Sequence, residues 1–161
     1  MISENIKNIK KFMSALLVKD SFDEMLTTDV AITTYNTFYI DGHIKKAFYS
    51  EDEYESLGRP EVSEWKKLRP ICFELIKGNK TPLSFKIIFR LGEKETAKLL
   101  SENNIELIPE NINGLFVNIK YDDGILSYVT GTSLNVFTLD KSLEKAFDMY
   151  VSKLISDILE K

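Results

Sequence analysis

The sequence predicts an α+β fold: a mainly antiparallel sheet of five or six strands, with amphipathic helices from the two ends of the chain packed on it. Three observations carry this reading. Residues 84–91 alternate, with Phe85, Ile87, Phe89 and Leu91 on one side and Ser84, Lys86, Ile88 and Arg90 on the other, the pattern of a half-buried strand. Two Asp-Gly pairs, at 41–42 and 123–124, separate runs rich in β-branched and aromatic residues, the strongest short-range hairpin signal. Finally, apolar residues recur at helical spacing from Leu143 to Leu159. A striped helix needs a complementary apolar surface, and the sheet offers the only large one.

Near the start, Ile6, Ile9, Met13, Leu16 and Leu17 form one helical stripe, flanked by Phe12 and backed by Lys7, Asn8, Lys10 and Lys11. Residues 28–39 favour a pleated surface. With a turn at Asp41-Gly42 and a return over 43–49, Ile40 opposes His43, Tyr39 opposes Ile44 and Tyr35 opposes Phe48. Neither face of that hairpin is cleanly polar, so both are expected to be partly covered. The acidic run of Glu51, Asp52, Glu53 and Glu55 then reads as a loop over 50–58.

Residues 60–91 are the hub. They hold the only Trp (Trp65), the only Cys (Cys72) and three of the four prolines. Trp65, Leu68, Cys72, Leu75 and Ile76 share a helical face that continues through Pro70, where the missing donor requires a kink or a split. Gly78 is placed as the helix C-cap. After the strand at 84–91, a short helix over 93–102 carries Ala97, Leu99 and Leu100, and 105–113 is a connection. The second hairpin runs 115–121, Asp123-Gly124, 125–130. It places Val117, Ile119 and Tyr121 on a face with Leu126, Tyr128 and Thr130. Gly131-Thr132-Ser133 reads as a break, 134–139 as a further strand, and Asp140 as the cap of the last helix. That helix buries Leu143, Ala146, Phe147, Tyr150, Val151, Leu154, Ile155, Ile158 and Leu159. Full burial contributes on the order of 10–15 kcal/mol before entropy, at ~1.5–3 kcal/mol per large side chain. With no linker in the chain, residues 1–161 read as a single domain.

Composition narrows the function classes. A chain of 161 residues with 43% hydrophobic and 29% charged residues is an ordinary globular domain. One cysteine and one histidine preclude an internal disulfide and a structural zinc site, which fits a reducing interior and a cytoplasmic location. No apolar run is long enough for a signal peptide core or a membrane span. The net charge of −4 disfavours a general nucleic-acid binder. It is unevenly spread, however: residues 59–94 hold nine basic and four acidic side chains, a local +5.

Three segments, 29–42 (DVAITTYNTFYIDG), 65–91 (WKKLRPICFELIKGNKTPLSFKIIFRL) and 129–141 (VTGTSLNVFTLDK), resemble the shared blocks of a family of small bacterial proteins of unknown function, found mainly in clostridia and related Firmicutes. The resemblance covers nearly the whole chain and is most specific over 77–91. It implies a one-domain cytoplasmic bacterial protein and brings no catalytic residues with it.

Any site must therefore come from the residues themselves. A Cys72–His43 nucleophile and base would need a polar, partly exposed thiolate, whereas Cys72 lies on the helix's apolar face. Asp41 and Asp122-Asp123 are explained by turns, and the acidic run lacks the alternating oxygens and glycine of a calcium loop. Lys77, Gly78, Asn79, Lys80 and Thr81 have the residue types that cradle phosphate but not the spacing or helix order of a P-loop. They remain a candidate anion loop, with backbone donors and two lysines. Lys86 and Arg90 extend positive charge along the outward face of the strand, and Arg69 is a further candidate. The first function reading is thus a non-enzymatic binding or interaction module, without cofactor or metal. Its partner would be a small anionic ligand or an acidic segment of another protein, and a homodimer is compatible. The alternative is a small enzyme joining Arg69, Lys77 and Lys80 to the hydroxyls of Thr130, Thr132 and Ser133 in space. Convergence of these groups in one pocket distinguishes the two.

Overall fold

The alternating run at 84–91 supplies an interior strand of the sheet. In the computed structural model, which describes residues 1–78 and 80–160, six strands form one antiparallel sheet. They are β1 (Ser3–Asn5), β2 (Leu26–Thr33), β3 (Thr37–Asp41), β4 (Ser84–Arg90), β5 (Ile112–Asp122) and β6 (Ile125–Leu134), in the order β1-β6-β5-β4-β2-β3. Five helices accompany it: α1 (Ile9–Leu17), α2 (Glu51–Ser56), α3 (Trp65–Ile76), α4 (Glu93–Glu102) and α5 (Ser142–Glu160). The α+β architecture and the strand count match the sequence expectation.

The core lies between the inner sheet face and the helices. Val30, Ile32, Phe85, Ile87, Phe89, Val117, Ile119 and Tyr128 meet Phe12, Leu16, Trp65, Cys72, Phe147 and Val151. Aromatic rings tie the layers together. Phe22 stacks on Phe89 at 5.4 Å, and Trp65 meets Phe89 edge-on at 5.3 Å. The Trp65 indole donates to the Leu16 carbonyl at 2.8 Å, so the largest buried ring has its one polar atom satisfied. Phe12, expected to flank the α1 stripe, is fully buried within it. Pro70 does not split α3. It is exposed, so the carbonyl it leaves without a donor faces water.

The second hairpin keeps its predicted register: Val117 pairs Thr130, Ile119 pairs Tyr128 and Tyr121 pairs Leu126. Asp123 and Gly124 both have positive φ, +51° and +78°, as a primed hairpin turn requires. The helix over 93–102 also falls where expected, although Ala97 is exposed and Thr96 is buried in its place.

Five expectations are corrected. The first hairpin turns at Thr34, Tyr35 and Asn36, not at Asp41-Gly42, so Val30 opposes Ile40 and Ala31 opposes Tyr39. Gly42 serves a close approach: a Cβ there would stand 1.6 Å from the Thr27 carbonyl oxygen. Residues 43–49 contain a 3-10 turn (Lys46–Phe48) instead of a return strand. The acidic run is the helix α2, because Ser50 and Glu53 form a reciprocal capping box at its start. Residues 135–139 are not a strand: β6 continues straight through Gly131 and ends at Leu134, which pairs with Ile112, the first residue of β5. Beyond that point no strand remains to pair with. Lastly, the outer face of the β2–β3 hairpin is open, with Tyr39 81% exposed, so one-sided cover replaces the expected two-sided cover. Among the described residues no helix is long and apolar enough to cross a membrane.

Candidate functional site

The end of α3 and the start of β4 create an apolar-walled cleft beside the predicted loop. The Lys77 N–H closes the helix on the Phe73 carbonyl at 2.8 Å, and Gly78 then takes φ +140°, a conformation open to glycine. The chain regains the sheet where the Leu83 N–H donates to Thr33 O at 2.9 Å. Across from it stands the β2–β3 turn, in which Tyr35 leans edge-on against Phe38 at 5.7 Å. Between them lies a cleft of about 500 Å³. Leu75, Ile76, Leu83 and Tyr35 supply apolar walls, while Lys77, Lys80, Thr81 and the Gly78 backbone supply polarity. The volume lies in the range of small-molecule sites.

Electrostatically the two lysines differ. Lys77 Nζ sits 2.7 Å from Glu74 Oε2, both half exposed or more, a surface pair of little energetic weight that opens readily to a competing anion. Lys80 has no acidic partner among the described residues. The Thr34 hydroxyl in the cleft wall is buried and unpartnered among the described residues.

Of the eight predicted ligand residues, Lys77, Gly78, Lys80 and Thr81 line this one cleft, and Asn79 lies outside the described residues. Arg69 is elsewhere and engaged. Its guanidinium holds Asp23 through two hydrogen bonds of 2.8 and 2.9 Å and reaches the Val18 carbonyl at 3.3 Å. The Asp23 hydrogen bonds, chiefly, push the pKa of Arg69 above its ordinary value. It fastens α3 to the segment after α1. Lys86 is exposed on the outer sheet face, directly opposite Lys120 of β5, a pairing that β5's unknown neighbour kept out of sight in the sequence. Arg90 sits at the far end of β4, with Glu61 Oε2 3.9 Å from its Nη2. At about 3.3 Å per residue, Ser84 to Arg90 spans roughly 20 Å.

The same register separates the parts of the enzyme alternative. The 77–81 loop adjoins the Ser84 end of β4, where Asp122 pairs, whereas Thr132 and Ser133 pair with Leu115 and Gly114 at the Arg90 end. Thr130 points inward, donating to Asp148 of α5 and accepting from the Ile2 N–H at 2.9 Å. Arg69, the loop and these hydroxyls do not converge. Cys72 is fully buried and its thiol is pushed up to about 12 by burial, the state of an inert thiol. His43 is exposed and bonded through Nδ1 to Asp41 at 2.7 Å. Among the described residues no group of three His, Cys, Asp or Glu is placed to hold a metal.

One feature had no sequence signal. Two clefts, of about 450 and 620 Å³, meet at Arg90, Glu61 and Glu93, brought together from segments with no common motif.

The chain belongs to DUF5721, a family of unknown function whose model matches residues 15–158. No curated protein and no solved structure matches it.

Proposed function

We propose that the protein is a binding module whose cleft beside the 77–81 loop takes an anionic group carried on an apolar body. The observation that carries this reading is the lining itself: two lysines and a threonine at the rim of walls made by Leu75, Ile76, Leu83 and Tyr35. A bare inorganic anion would leave those walls wet. A carboxylate or phosphate on a hydrocarbon or aromatic frame uses both halves of the site, the apolar part supplying area and the lysines orientation. The overall charge of −4 keeps bulk nucleic acid away while leaving this patch locally positive.

The test is a thermal-shift screen of inorganic phosphate, nucleotides, medium-chain carboxylates and short acidic peptides. A ligand at ~100 times its dissociation constant adds about 2.7 kcal/mol, and a domain of this size then melts roughly 5–10 °C higher. The expected result is that a carboxylate or phosphate with an apolar body shifts the parent and that Lys77→Ala/Lys80→Ala abolishes the shift. If no anion stabilises the parent, or the double variant responds as the parent does, the loop is a helix cap alone.

A further inference from the structure

At the opposite end of β4 lies a second site, independent of the loop cleft. We infer that the cleft at Arg90 binds a basic α-amino acid, its carboxylate held by the arginine and its ammonium groups by the surrounding glutamates. Arg90 is the last residue of β4 and pairs across the sheet with Phe116. Its side chain is only 18% exposed, because it is packed in place. A Cβ on Gly114 would stand 2.5 Å from the Phe116 ring and 3.1 Å from Arg90 Cδ. The glycine thus leaves room for the ring and the arginine stem to lie over the strand.

Held this way, the guanidinium is poorly served by its own protein. Among the described residues its one carboxylate neighbour is Glu61, at 3.9 Å, beyond hydrogen-bond reach and on a side chain 72% exposed. A guanidinium offers five donors in a fixed fork that matches a carboxylate. It forms a wall shared by the two adjoining clefts, so those donors open onto space that a ligand can fill.

The charges of the smaller cleft define the ligand. This cleft is lined by Glu61, Glu93 and Glu110 together with its single cation, Arg90, and by Asn113 and Thr96 as neutral polar groups. A simple anion would satisfy Arg90 but meet three carboxylates. A simple cation would satisfy the glutamates and leave the guanidinium unanswered. A molecule with one carboxylate and two separated ammonium groups answers both and offsets half of the excess negative charge. The glutamates come from the segment after α2, the first turn of α4 and the 3-10 turn Pro109–Asn111. They form no metal-binding cluster among the described residues, and a spread of carboxylates suits a ligand whose positive charges are themselves apart.

Calorimetric titration of the full chain with L-lysine tests this, with cadaverine (no carboxylate) and L-norleucine (no side-chain ammonium) as matched controls. The expected result is saturable lysine binding, at least tenfold tighter than either control. Arg90→Gln should weaken lysine at least tenfold without weakening cadaverine, and Glu93→Gln should weaken both. Absence of lysine binding, equal affinity for lysine and cadaverine, or an Arg90→Gln variant that binds lysine as the parent does would each overturn the inference. Should Arg90→Gln fail to fold, the three-ligand comparison on the parent and on Glu110→Gln, an exposed position, decides it. There, Glu110→Gln should weaken lysine more than norleucine, and equal effects count against the assignment.

Discussion

Substituting Gly42 separates two accounts of the same dipeptide. As the second residue of an Asp-Gly turn it would need glycine for positive φ, and asparagine would serve nearly as well. The structure gives it another reason to be glycine. A Cβ would stand 1.6 Å from Thr27 O and 3.2 Å from Thr28 O, both backbone atoms. Carbon–oxygen contacts below about 3 Å are repulsive even where a weak C–H···O bond forms, so one backbone must withdraw by more than 1 Å. That movement strains the bonds from the Gly42 N–H to Thr28 O at 2.8 Å and from the Ser63 N–H to Gly42 O at 2.9 Å. Gly42 is buried, and a buried polar group left unpaired costs about 1–3 kcal/mol. Losing both bonds therefore costs about 2–6 kcal/mol. At about 2–4 °C per kcal/mol for a chain of this size, Gly42→Ala should melt roughly 5–20 °C below the parent, and Gly42→Asn at least as low. Gly131→Ala is the control, because nothing lies within 4 Å of its Cβ and its φ is not positive, and it should be near neutral. Thermal unfolding followed by far-UV circular dichroism reads all three. A Gly42→Asn protein that melts within about 2 °C of the parent would refute the close-approach argument.

Two further outcomes are expected. Phe147 is fully buried at the centre of the α5 stripe, so Phe147→Ala should cost about 3–5 kcal/mol by urea unfolding. A loss below 1 kcal/mol would mean that α5 is not integral to the core. Cys72 should react slowly with a thiol reagent under native conditions and quickly in denaturant. Its thiol ordinarily titrates at 9.0 but is held to about 12 when folded. The unfolded state therefore releases its proton first, so the contribution of this thiol to stability is full below pH 9 and declines as pH rises from 9 towards 12. Cys72→Ala should flatten that decline, and an unchanged slope would assign it to other groups.

Where a local pattern and its long-range partner agree, the fold is legible in the sequence. The register of β5 and β6 follows from alternation plus a turn that needs positive φ, and α5 from a stripe that finds the sheet. The misreadings are places where a partner decides. Asp41-Gly42 has the composition of a turn, but Gly42 is pressed against Thr27 by strand β2, and the real turn at 34–36 lacks glycine altogether. Residues 135–139 have strand-like side chains and no strand to pair with. β1, Ser3–Asn5, has almost no strand propensity and is held by backbone pairing to β6. Ser50 and Glu53, by contrast, carried a readable capping signal for α2, and the run of acids obscured it. The candidate site divides the same way. Lys77, Gly78, Lys80 and Thr81, close in the chain, line one cleft, whereas Arg90 met Glu61 and Glu110 only through the topology of the sheet.

The pairing of β1 with β6 also orders events in time. Ser3 lies opposite Val129 and Asn5 opposite Ser127, so β1 leaves the ribosome well before the strand it pairs with. At about 5–20 residues per second, more than a hundred intervening residues take on the order of ten seconds to make. Throughout that interval β1 lacks its partner, and its N–H and C=O groups are open to water and to other segments. Its brevity and its polar Ser-Glu-Asn sequence make it a poor template for a stray strand while it waits. The weak strand-forming character that hid β1 in the sequence is thus a safeguard during synthesis: the edge adheres when β6 arrives and to little else before.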